Sequence, residues 1–66
     1  MVDARGLSCP MPVIMTQKAM KSKDDYYEVM VDAQAPLENV TRFARSQGYN
    51  VEVEDMGGEY LLKISR

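Results

Sequence analysis

The stretch "YYEVMVDAQAPLENV", residues 26–40, changes its period partway, and that change decides the fold. Tyr27, Val29 and Val31 alternate with Tyr26, Glu28 and Met30, the spacing of a strand with one buried face. Pro36 then suits the first position of a helix, and Leu37, Val40, Phe43 and Ala44 recur at helical spacing. Working backwards, Asp24 and Asp25 make a turn, and Pro10 to about Met20 reads as a first helix. That helix leads into Lys18, Lys21 and Lys23, cations that suit a helix C-terminus. Arg5 to Ser8 is a loop punctuated by Gly6, and Met1 to Ala4 can form a short first strand. Working forwards, Gly48 is the expected left-handed cap of the second helix, and Val51 and Val53 alternate with Glu52 and Glu54. Gly57-Gly58 signals a hairpin, with Tyr60, Leu62 and Ile64 as the inner face of the last strand.

The order is βαβαββ. Right-handed crossovers running in one direction across the sheet place both helices on the same face. The expectation is an α/β two-layer sandwich: a mixed four-stranded sheet, two helices on one side, and a wet face carrying Glu28, Glu52, Glu54 and Lys63.

A chain of 66 residues reads as one domain, residues 1–66. At this size only about 60% of the unfolded chain's surface is buried, so chemistry belongs at the surface or at an interface. Apolar content of 45% and charged content of 27% fit a folded domain rather than a disordered one. A net charge of −2 argues against nucleic acid or anionic membrane as a partner. No apolar run is long enough to span a bilayer, and no signal peptide is visible. With a single cysteine and no other staple, the chain is expected in the cytoplasm, where thiols stay reduced.

That cysteine, Cys9, stands in "GLSCPMP", residues 6–12. Proline drives the residue before it out of the helical region, and a helix N-cap needs such a conformation. Cys9 is therefore the expected N-cap, with Pro10 at the first helical position and Pro12 at the third. The thiol would sit at the positive end of the helix, which favours thiolate. Pro10 and Pro12 remove two N–H groups from the first turn and leave Met11 as the well-placed donor. A thiol biased in this moderate way can both accept and release sulfur. The chain has no histidine to act as a base and no second cysteine, which excludes a Cys–His pair, a CxxC redox pair and a cysteine-rich zinc site. A thiol with no base and no resolving partner suits transfer between proteins, with sulfur held as a persulfide; the plainer reading is that Cys9 is a small hydrophobe and the prolines merely start a helix. No cofactor or metal is expected. At about 100° per residue, Pro12, Val13, Met15, Thr16, Ala19 and Met20 share the core side of the first helix. Met11 and Ile14 fall among Gln17, Lys18 and Lys21, a candidate docking patch for a protein partner, with Arg5, Lys18 and Lys21 as its cationic rim.

At "DARGLSCPMPV", residues 3–13, the sequence resembles the TusA/SirA/YedF family of sulfur carriers, whose signature is a short strand, a Gly-Leu pair and Cys-Pro-x-Pro opening the first helix. Here these are Gly6, Leu7, Cys9, Pro10 and Pro12. The segment 38–54 looks most like the YedF branch, associated with selenium metabolism. The resemblance implies a two-layer sandwich similar to the C-terminal domain of bacterial translation initiation factor three. It also implies that Cys9 carries persulfide sulfur from a donor such as a cysteine desulfurase to an acceptor protein. Arg5, Gly6, Pro10, Met11 and Pro12 would support the thiol, and the chain would act as a monomer. Members linked to tRNA thiolation carry an acid where this chain has Met11, a base where it has Gln17, and paired acids where it has Asp32 and Ala33. These departures bear on partners more than on the persulfide chemistry. Two other readings stand beside the carrier: a non-catalytic interaction module in which Cys9 shapes a surface, and a thiol redox sensor.

Overall fold

The computed structural model describes every residue except Met1, Ser8, Cys9 and Lys23. Its elements are β1 (Val2–Asp3), α1 (Met11–Ala19) with a 3₁₀ turn at Met20–Ser22, β2 (Tyr26–Val31), α2 (Gln34–Ser46), β3 (Asn50–Asp55) and β4 (Tyr60–Ser65). The sheet order is β1-β2-β4-β3, with β1 parallel to β2 and β4 antiparallel to both of its neighbours. Both helical crossovers, β1 to β2 and β2 to β3, therefore join parallel strands and advance in the same direction. Right-handed connections then stack α1 and α2 against one face. The two-layer mixed sheet is the expected one.

The core lies between these layers. Val29, Val31, Leu62 and Ile64 from the two central strands are fully buried, together with Val40 and Ala44 of α2. Pro12 and Thr16 of α1 and Met20 of the 3₁₀ turn close the layer from above. On the opposite face Lys63 lies between Glu28 and Glu52 in register and pairs with Glu54 at 3.2 Å. Val53 shares the inner register with buried Leu62, yet it is 47% exposed, because it lies on the edge strand.

The element ends show where local chemistry decides. α2 closes in a Schellman motif: Tyr49 N–H reaches the Ala44 carbonyl at 3.1 Å and Gly48 N–H the Arg45 carbonyl at 3.0 Å. Gly48 has φ 87°, the left-handed conformation that this cap needs. In the β3–β4 hairpin Gly57 and Gly58 have φ 77° and 101°, the positive pair a type I′ turn demands. Two helix starts differ from expectation. α2 begins at Gln34, with Ala33 as N-cap, so Pro36 is the third helical residue rather than the first. Helix α1 begins at Met11, with Pro10 as its N-cap. The first turn accepts proline at several positions because its N–H groups lack intrahelical partners anyway, so proline alone does not fix the start.

Candidate functional site

The N-terminus of α1 is organised by Pro10. Its ring restrains φ but not ψ, and at φ −98° and ψ 13° the residue stands outside the helix. Its carbonyl accepts the Ile14 N–H at 3.1 Å, which makes Pro10 the N-cap. This corrects the assignment of the cap to Cys9 and moves the prolines to the N-cap and second helical positions. Cys9 itself lies outside the described residues. Of the four leading positions, Pro10 and Pro12 have no N–H, so Met11 and Val13 are the donors of the first turn; Val13 was not expected among them. The first turn holds no acidic residue. Pro12 is buried, so its ring packs as well as stiffening the turn. Thr16 is the one buried polar residue among those described, and it donates its hydroxyl back to the Pro12 carbonyl at 2.8 Å.

The loop leading to this helix is tied at three places. Ala4, fully buried, extends the β1–β2 ladder with its N–H on the Met30 carbonyl at 2.9 Å. Arg5 forks onto Asp3, with Nε to Oδ1 and Nη2 to Oδ2 both at 2.9 Å, and reaches Glu59 Oε2 with Nη1 at 3.2 Å. Gly6, at φ 75°, donates its N–H to Asp32 Oδ2 at 2.9 Å. Leu7 then packs on the core. The hydrogen bonds from Arg5 hold the Asp3 carboxyl down at about 2, and those two carboxylates push the guanidinium further up. Arg5 is therefore a structural fork, not the open rim cation expected of it.

The expected docking residues divide between two flanks of α1. Met11 is 44% exposed, whereas Ile14 is half-buried and outside the core cluster. Gln17, Lys18 and Lys21 are exposed. Gln17 and Lys21 turn towards α2, where they line a cavity of about 420 Å³ with Met20 and Phe43. A second cavity, of about 430 Å³, begins at Pro10 and runs between Val13 on one side and Asn39, Arg42, Phe43 and Ser46 on the other. Phe43 borders both, so the two cavities meet the same side chain at the α1–α2 seam. Among the described residues no Asp or Glu side chain lines either cavity. Sequence reading missed this wall: Asn39, Arg42, Phe43 and Ser46 repeat at the spacing of one helix face, but only the crossover geometry turns that face towards Pro10. Asp32 and Glu59 were likewise invisible as partners of the loop. Among the described residues no helix is long and apolar enough to cross a membrane.

Known proteins resemble this chain in sequence and in fold. The sequence profile of the sulfurtransferase TusA family matches residues 1–66. A candidate sulfur carrier protein of Methanocaldococcus jannaschii is 40% identical over 52 residues, covering 76% of this chain and 69% of that one. Another candidate sulfur carrier, YrkI of Bacillus subtilis, is 31% identical over 62 residues, covering 91% and 83%. The crystal structure of a SirA-like protein from Desulfitobacterium hafniense superimposes with a TM-score of 0.84 at 31% identity, covering 97% of this chain and 92% of that one. With the profile matched from end to end and the fold shared, the chain belongs to the TusA sulfurtransferase family.

Proposed function

We propose that this chain carries sulfur as a persulfide on Cys9 and relays it from a donor protein, such as a cysteine desulfurase, to an acceptor protein. The observation that carries this reading is the setting of the chain's single thiol. It stands one peptide bond before the N-cap of α1, in a family of sulfurtransferases. The Cys9 thiolate attacks the outer sulfur of the donor's persulfide. One S–S bond forms, the donor's S–S bond breaks, and the donor leaves as a thiolate; the proton stays on the transferred sulfur. No external oxidant or reductant is needed. Arg5, Gly6, Pro10, Met11 and Pro12 support the thiol from either side. Met11, Ile14 and Lys18 on one flank of α1, and Gln17 and Lys21 on the flank facing α2, make up the docking surface, with Met11 as its exposed apolar residue. Lys18, Lys21 and Arg42 give that surface a positive character that favours an acidic patch on the partner.

The test is to incubate the protein with a cysteine desulfurase, cysteine and pyridoxal phosphate and read intact mass. One added sulfur atom on the wild type and none on Cys9→Ser is the expected result. Sulfur on the Cys9→Ser variant, or none on the wild type, overturns the reading.

A further inference from the structure

We propose that Asp32 is a positioning residue for sulfur exchange, acting on the thiol loop through the Gly6 N–H; the proposal rests on the carrier reading of Cys9. Asp32 follows β2 directly and is exposed, and its Oδ2 accepts the Gly6 N–H at 2.9 Å across 26 residues of chain. It makes no ion pair with any described residue, so this hydrogen bond is its one assigned polar contact. Its place in the chain sharpens the point. The next residue, Ala33, is the N-cap of α2, where no side chain caps the helix and the first turn holds no acid. The nearest carboxylate is engaged by the other loop instead. A local rule of helix capping is left unused beside a candidate site, which is where such departures concentrate.

The consequence for the thiol follows from chain connectivity. Gly6 is fixed by Asp32, Leu7 packs on the core, and Pro10 caps α1. Only Ser8 and Cys9 separate those anchors. Exchange between two sulfurs needs an in-line approach, and a displacement of about 1 Å at a reacting group can cost on the order of a hundredfold in rate. Releasing Gly6 frees one end of this short span. The N–H···carboxylate bond, which is charge-assisted, is well suited to hold it.

Two substitutions in the full chain separate the hydrogen bond from the charge. Asp32→Ala removes both, whereas Asp32→Asn keeps an acceptor oxygen and removes only the charge. Desulfurase-dependent sulfur loading should slow about tenfold in Asp32→Ala and stay within about twofold of wild type in Asp32→Asn, with both melting temperatures close to wild type. Thiol–disulfide exchange of Cys9 with an aromatic disulfide should slow at least about threefold in Asp32→Ala and recover in Asp32→Asn. Wild-type rates in Asp32→Ala, or equal slowing in both variants, overturn the proposal. If the wild type takes up no sulfur, the carrier reading fails, and the disulfide exchange rates still decide the role of Asp32.

Discussion

Arg5 Nη1 lies 3.2 Å from Glu59 Oε2, fastening the loop before α1 to the residue that begins the return of the β3–β4 hairpin. The same guanidinium forks onto Asp3. Exposed ion pairs contribute little to stability one at a time. The value of this one is geometric: a single planar group spans β1, the loop and the hairpin, next to the stretch that carries the thiol.

The fork makes a pH prediction. The Asp3 carboxyl is lowered from 3.8 to about 2, chiefly by its hydrogen bond from Arg5. A depressed folded value means a contribution that is complete above the unfolded value and lost as pH falls through the folded one. Asp3→Asn should therefore melt lower than wild type at pH 6, by no more than about 4 °C. The gap should close between pH 4 and pH 2. Melting curves by circular dichroism across that range check it; a gap that widens towards pH 2 contradicts the assignment.

Ala33→Ser should stabilise the chain. Ala33 has φ −151° and ψ 161°, the extended conformation of an N-cap, but no side chain to accept a hydrogen bond. Serine could accept the Ala35 N–H; the alternative donor position is Pro36, which has none. The gain should sit at the low end of the capping range, about 0.5 kcal/mol. Urea denaturation with an unchanged slope measures it.

Leu62→Ala tests the core. Leu62 is fully buried at the centre of β4, between Val29 of β2 and Val53 of β3. Such truncations cost about 2–5 kcal/mol. A chain of this length commands only about 3–10 kcal/mol at 0.05–0.15 kcal/mol per residue. The variant should be substantially unfolded at 37 °C, visible as lost dispersion of amide signals.

Much of this was legible because strands announce themselves by period. Tyr27, Val29 and Val31 are buried as their alternation requires, and Leu62 and Ile64 match them across the sheet. The double glycine fixed the hairpin because few other residues adopt two successive positive φ values. Helix α1 was harder. Apolar residues surround it, so spacing alone separated its faces weakly, and Ile14 is more covered than its angular position suggested. The ties from Arg5 to Glu59 and Gly6 to Asp32 left no local trace. They join exposed residues 54 and 26 positions apart, and no periodicity marks a charge that finds its partner only after the sheet is assembled.

Met11 offers the sharpest test of the docking surface. It is the first residue of α1, 44% exposed, and it stands two residues after Cys9. On the carrier reading a donor docks over this position, and desolvating an apolar side chain at the centre of a small interface is where binding energy concentrates. Met11→Gln keeps length and helix propensity, adds no charge near the thiol and leaves the first-turn N–H in place. Folding and small-molecule alkylation of Cys9 should therefore be unchanged. Protein-dependent sulfur loading should slow about tenfold, equivalent to about 1.4 kcal/mol, through weaker association rather than slower chemistry. The loss should consequently shrink as donor concentration rises. If it persists at saturating donor, Met11 acts on the thiol and not on docking; if loading is unchanged at every concentration, the partner approaches from another side, and the cavity lined by Val13, Arg42 and Phe43 becomes the next surface to alter.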